Sequence, residues 1–178
     1  LQKNRNADWR VGWGQFVGFL YPWTLFGVRP FMKIDSILLD TNILLRAAAR
    51  DEAEHSIVSA ALNALISQNA KLFACSQNLY EMWVVLTRPR EVNGYGLSTS
   101  ETARLLREVI RSFPILSESP EVIERWLEIS LRYDVKGKQV HDARLVALMM
   151  SENIYYILTL DKSDFVRFQP EIMPIHPS

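Results

Sequence analysis

Ile37-Leu38-Leu39-Asp40-Thr41-Asn42-Ile43-Leu44 decides the fold. An unbroken apolar run that stops at an aspartate has no polar face. Such a run reads as a short strand covered on both sides, as in a parallel sheet. Outward along the chain the same type of run recurs in Leu72-Phe73-Ala74-Cys75, in Ile115-Leu116, from Ile154 to Leu158 and, as a final edge strand, from Ile172 to Ile175. Helical patterns separate these runs, and that alternation is the signature of βαβ units. The expected fold is therefore α/β: one domain over residues 32–178, with a central, mainly parallel sheet of four to five strands sandwiched by helices.

The helices announce themselves by period and by caps. Residues 53–68 place Ile57, Ala61, Ala64 and Leu65 on one stripe. Ser76 reads as the N-cap of a helix running to about Arg88, where Pro89 ends it. Ser98 and Glu101 form a capping box for a helix over 99–112. Ser119-Pro120 opens another that ends near Tyr133, and a further helix runs from about His141 to Asn153. No repeat or low-complexity run appears.

At 178 residues one domain is the natural size. Lys plus Arg and Asp plus Glu both number 20, so the chain lacks the broad basic field that captures nucleic acid without help. The single cysteine, Cys75, lies in an apolar run and reads as a buried structural thiol; it supplies no disulfide framework and no thiolate zinc site. Residues 1–31 are of different character, rich in aromatics and glycine, uncharged between Arg10 and Arg29, and net positive. They read as a leader, disordered or not native, ahead of a start at Met32; a membrane-anchoring role for residues 11–28 is weakened by Pro22, Gln15 and the glycines. A chain beginning at Met32 is expected to fold and act alone, in the cytoplasm and away from membranes unless the leader is native.

The acids fall at the ends of elements. Asp40 closes the first strand, Asp161 follows the strand at 154–158, Asp142 lies in the first turn of its helix, and Glu81 in the second turn of the helix after strand two. In open parallel sheets, sites form beyond the carboxyl ends of the strands, where each following helix begins. Taken singly, each acid has an ordinary reading: Asp40 as a turn or cap residue, Asp142 as a first-turn acid favoured by the helix dipole, Glu81 as a surface acid. Glu81, however, is embedded in Leu79-Tyr80-Glu81-Met82-Trp83-Val84-Val85-Leu86, which offers it no obvious solvated face. Gathered on one rim, four carboxylates repel, and a divalent cation makes their proximity tolerable. All-oxygen donors favour Mg²⁺, with Mn²⁺ as the substitute, and such an ion suits hydrolysis of a phosphodiester. Asp161 and Asp164 compete for the fourth place.

At these residues the chain resembles the PIN-domain nucleases, and within them the VapC-type toxins of toxin–antitoxin pairs. Ile37 to Leu44 is similar to the first motif of that family, Leu79-Tyr80-Glu81 with Val85-Leu86-Thr87-Arg88-Pro89 to the second, His141-Asp142-Ala143-Arg144 to the third, and Ile157-Leu158-Thr159-Leu160-Asp161 with Asp164-Phe165 to the fourth. The resemblance spans about residues 34–176 and departs from the family in the leader. It implies Mg²⁺ or Mn²⁺ held by the catalytic acids Asp40, Glu81, Asp142 and Asp161, with Asn42, Thr159 and Asp164 in support. It implies an endoribonuclease acting on RNA and a cognate antitoxin protein as partner; the amphipathic helices at 53–68 and 99–112 could serve that antitoxin or a homodimer, core packing being their default use. Arg88 and Arg144, with Arg90 and Lys138 nearby, are candidates for gripping RNA phosphates, although each is equally readable as a solvated charge. Two other classes remain in view: a PIN nuclease of RNA maturation with no toxin role, and a non-catalytic PIN-like module that binds RNA or protein. A His-Asp phosphohydrolase would need further well-placed histidines, and a haloacid-dehalogenase-like phosphatase would need an aspartate where Asn42 stands.

Overall fold

The computed structural model of the chain describes residues 34–49 and 53–178. Strand β1 (Ser36–Leu39) is followed by α1 (Thr41–Ala48), α2 (His55–Ser67), β2 (Lys71–Cys75), α3 (Ser76–Thr87), a 3-10 turn (Arg90–Val92), α4 (Thr99–Ser112), β3 (Ile115–Leu116), α5 (Glu121–Arg132), α6 (Gln139–Ser151), β4 (Tyr156–Leu158), α7 (Lys162–Val166) and β5 (Met173–Ile175). The strands form one sheet in the order β3-β2-β1-β4-β5. Every pairing is parallel, with Ile37 opposite Leu72 on one side of β1 and opposite Tyr156 on the other.

Period-two alternation sorts the apolar runs onto two faces. Ile37 and Leu39 of β1, Leu72 and Ala74 of β2, and Leu158 of β4 point into a core shared with α1 to α4. Leu38, Cys75 and Ile157 point the opposite way, into a second core with α5, α6 and the Phe165–Ile172 stretch. This is why the runs show no polar positions: both faces are covered. Each fully buried Leu or Ile contributes roughly 1.5–3 kcal/mol relative to exposure. The expected α/β sandwich is present, and Cys75 is a buried free thiol as expected, its pKa pushed up to about 11 chiefly by burial.

Several local expectations are corrected. Residues 41–48, for which the sequence reading had no element, form α1, because the Asp40 carboxylate accepts the Thr41 N–H and caps the helix directly at the strand end. The cap of α3 is Cys75 rather than Ser76: the Asn78 Oδ1 accepts the Cys75 N–H, so strand passes into helix without an intervening residue. The inward stripe of α2 is Val58, Leu62 and Leu65, one residue round from the expected one, and Ile57 lies on the surface. Helix α3 does have a solvent face, built of Tyr80, Trp83 and Val84; Glu81 is half-buried and lies off it. Helix α6 starts at Gln139, slightly ahead of His141, and α5 at Glu121. The capping box of Ser98 and Glu101 is formed as read.

The connections place the site. From β1 through β2 to β3 the chain steps toward one edge, then α5 and α6 carry it back across the sheet to β4 on the other side of β1. The order reverses between β1 and β4, and the crevice beyond their carboxyl ends is the topological switch point. Asp40 and Thr159-Leu160-Asp161 meet there, with the Asp40 N–H bonded to the Leu158 carbonyl at 2.9 Å. Among the described residues no helix is long and apolar enough to cross a membrane. The leader 1–31 lies outside the described residues.

Candidate metal centre

Asp40 is held on all sides. Its Oδ1 accepts the Thr41 N–H at 2.7 Å, and its Oδ2 accepts from the Thr159 hydroxyl at 2.7 Å and the Asn42 amide at 2.8 Å. The same Asn42 Nδ2 reaches Thr159 Oγ1 at 3.2 Å and Asp161 Oδ2 at 3.4 Å, and its Oδ1 accepts the Leu160 N–H at 3.2 Å. The Asp161 N–H donates to Thr159 Oγ1 at 3.0 Å. Thus Asn42 and Thr159 stitch the end of β1 to the end of β4 and hold Asp40 beside Asp161.

Glu81 is fixed from the second flank. Its Oε2 accepts from the Thr41 hydroxyl at 2.6 Å, which in turn accepts from the buried Asn78 amide at 3.1 Å. Its Oε1 accepts from Gln77 Nε2 at 2.8 Å, and the same nitrogen donates to the His141 carbonyl at 3.0 Å. Thr41, Gln77 and Asn78 were not singled out in the sequence. A signal existed: Gln77 and Glu81 are spaced i, i+4 and so share one side of α3.

The charges act on one another. Burial raises the Asp40 carboxyl to about 6; its hydrogen bonds from Thr159 and Thr41 oppose that rise, and the charges of Glu81 and Asp161 add to it. Asp142, in the first turn of α6, is raised to about 7, first by desolvation and then by Asp164, Asp40 and Glu81, with Arg167 opposing. Asp142 has no hydrogen-bond or ion-pair partner among the described residues. The charges of the two rival acids of the fourth motif are felt at different groups: that of Asp161 raises Asp40, whereas that of Asp164, in the first turn of α7, is the largest charge acting on Asp142. The folded chain thus brings Asp40, Glu81, Asp142, Asp161 and Asp164 within electrostatic reach at one rim. Among the described residues no three of them form a ready-made ligand cage. The donor set nevertheless suits a hard divalent cation: it is all oxygen, and the raised carboxyls of Asp40 and Asp142 mark negative charge that a cation would relieve.

The two arginines offered as phosphate grips are engaged within the protein. Arg144 donates to Gln77 Oε1 at 2.9 Å and pairs with Glu118. Arg88 donates to the Asn93 carbonyl at 3.2 Å across the loop that follows α3. Arg88 lies seven residues beyond Glu81, roughly 10 Å along the helix axis.

No curated protein matches the sequence. VapBC of Salmonella typhimurium, bound to DNA, is similar in structure with a TM-score of 0.61 at 14% identity, covering 80% of this chain and 98% of that one. VapBC2 of Rickettsia felis, bound to a promoter DNA fragment, gives 0.60 at 14% identity, covering 79% and 98%. VapC20 of Mycobacterium tuberculosis, a toxin that cleaves the sarcin-ricin loop, gives 0.54 at 16% identity, covering 73% and 95%. At such identities the likeness speaks for the fold. The PIN domain model matches residues 37–169, well over half of the sequence, from the middle of β1 through the turn after α7. The chain belongs to the PIN domain family.

Proposed function

We propose that this chain is a metal-dependent endoribonuclease that hydrolyses RNA phosphodiester bonds and serves as the toxin of a toxin–antitoxin pair. The observation that carries the reading is the crowding of acids from four separate stretches at the switch point, where burial and mutual repulsion lift Asp40 to about 6 and Asp142 to about 7. Such crowding is costly in the bare protein and is relieved by a cation. Asp40, Asp142 and Asp161 would hold Mg²⁺, or Mn²⁺ in its place, with Glu81 and Asp164 beside them. When bound, the ion makes water a better nucleophile at neutral pH and neutralises charge on the phosphoryl oxygens.

The residues of the chain supply the remainder. Glu81, held on both oxygens, would bind the water shell of the metal or orient the attacking water. Asn42 and Thr159 keep Asp40 and Asp161 at a set separation. Without a cation this rim repels a phosphodiester, so substrate binding is coupled to metal. The toxin assignment and the antitoxin partner are supported by structural neighbours that are toxin–antitoxin complexes, and the RNA substrate by one neighbour that is a sarcin-ricin loop cleaving toxin; a homodimer is part of the same proposal.

The experiment is cleavage of structured RNA in Mg²⁺ and Mn²⁺ with and without EDTA, wild type beside Asp40→Asn and Asp142→Asn. Each variant is expected to lose roughly a hundredfold or more of the activity while keeping the circular dichroism spectrum. Full activity in either variant would make the site assignment wrong. Growth arrest on expression, relieved by a protein encoded beside it, marks a toxin; cleavage without growth arrest favours RNA maturation.

A further inference from the structure

We infer that Gln77, Arg144 and Glu118 are positioning residues for Glu81, and that Arg144 serves the acidic site rather than the RNA backbone. This rests on the reading of the site given above. Gln77 is only 5% exposed, and its amide orientation is determined by its partners. Its Oε1 faces the Arg144 guanidinium at 2.9 Å, which leaves Nε2 to donate to Glu81 Oε1 at 2.8 Å and to the His141 carbonyl at 3.0 Å. A reversed amide would set oxygen against oxygen at Glu81 and N–H against N–H at Arg144.

Arg144 is fixed in turn. A second guanidinium nitrogen pairs with Glu118 Oε2, and Glu118 Oε1 accepts from the Ser76 hydroxyl at 2.7 Å. The ladder therefore runs from Ser76 at the start of α3, through Glu118 between β3 and α5, to Arg144 on α6, and back to Gln77 and Glu81 on α3. It joins the helix that carries Glu81 to the helix that carries Asp142, and Gln77 bonds the carbonyl of the residue next to Asp142. Glu118 offsets the charge of Arg144, so the arginine orders the amide while lending the rim little positive charge. The two side chains are partly covered, at 35% and 26% exposure, and the guanidinium nitrogens that face Gln77 and Glu118 are already engaged.

The test uses the full chain with Gln77→Leu, Arg144→Met, Glu118→Gln and the double variant of Arg144 and Glu118. Two measurements are made: Mn²⁺ binding by titration calorimetry without RNA, and kcat and KM on an RNA oligonucleotide across a salt series. Each single variant is expected to weaken Mn²⁺ binding and lower kcat by about tenfold, with KM and its salt slope unchanged. The double variant is expected to be no worse than Arg144→Met, because both act through one amide. Glu118→Gln preserves shape at a half-covered position and reports on the ladder even if Arg144→Met folds poorly. A raised KM with a shallower salt slope at unchanged Mn²⁺ affinity would make Arg144 a phosphate grip and overturn the inference. Unchanged Mn²⁺ affinity and unchanged kcat would reduce the ladder to packing and overturn it as well. A wild-type chain that neither binds Mn²⁺ nor cuts RNA would fail the underlying reading of the site, and this inference with it.

Discussion

Thr159 shows how one hydroxyl can serve structure and site together. It is fully buried, donates to Asp40 Oδ2 and accepts the Asp161 N–H. Thr159→Val keeps the volume and removes both bonds together with the one from Asn42, leaving Asp40 Oδ2 with the Asn42 amide alone and the Asp161 N–H without its acceptor. The expected cost is about 1–3 kcal/mol in urea unfolding, with cleavage reduced roughly tenfold because Asp161 is no longer tethered beside Asp40. An unchanged midpoint and unchanged rate would show that neither bond matters. Asp40 itself joins two readings that were separable in the sequence: it is the cap of α1 and also the most enclosed acid of the rim.

At the scale of elements, the turn after α3 brings two stretches of backbone into close approach at Gly94. Gly94 donates its N–H to the Pro89 carbonyl, and Gly96 donates to that of Arg88. A Cβ at Gly94 would collide with the Arg88 backbone. Gly94→Ala is therefore expected to destabilise the fold by roughly 1–3 kcal/mol, seen as a lower urea midpoint with an unchanged slope. The damage should concentrate on α3 and the start of α4. Because α3 carries both Gln77 and Glu81, metal affinity should fall in parallel. A variant as stable as wild type would show that the loop yields without strain.

For the whole molecule, the acids set a dependence of stability on pH. A carboxyl with a higher pKa folded than unfolded leaves the folded chain holding more protons between the two values. Stability then falls as pH rises through that window, from about 4 to about 6 for Asp40 and from about 4 to about 7 for Asp142. For the enclosed Asp40 the loss is of the order of 3 kcal/mol. The metal-free protein should thus melt several degrees lower at pH 8 than at pH 5. Addition of Mg²⁺ should restore most of the difference at pH 8 and little at pH 5, where protons already neutralise the rim. Differential scanning calorimetry at both values checks this, and a melting point that rose with pH in EDTA would contradict it.

The order of elements, the doubly covered sheet and the acids at its rim were legible in the sequence, because unbroken apolar runs and residues at strand ends carry that information locally. The short helices α1 and α7 were not, since eight and five residues give too little period to separate from a strand end or a loop. Nor could the sequence separate Asp161 from Asp164: three residues apart, they are equivalent in one dimension, and only the folded chain sets the charge of Asp161 on Asp40 and that of Asp164 on Asp142. The partners of Arg144 were equally hidden, because Gln77 and Glu118 lie far away along the chain and adjacent in space. The sequence by itself determined which residues would be apolar, acidic or capping. The tertiary structure decided which polar groups meet, since a hydrogen bond depends on positions and directions that no single stretch of chain contains.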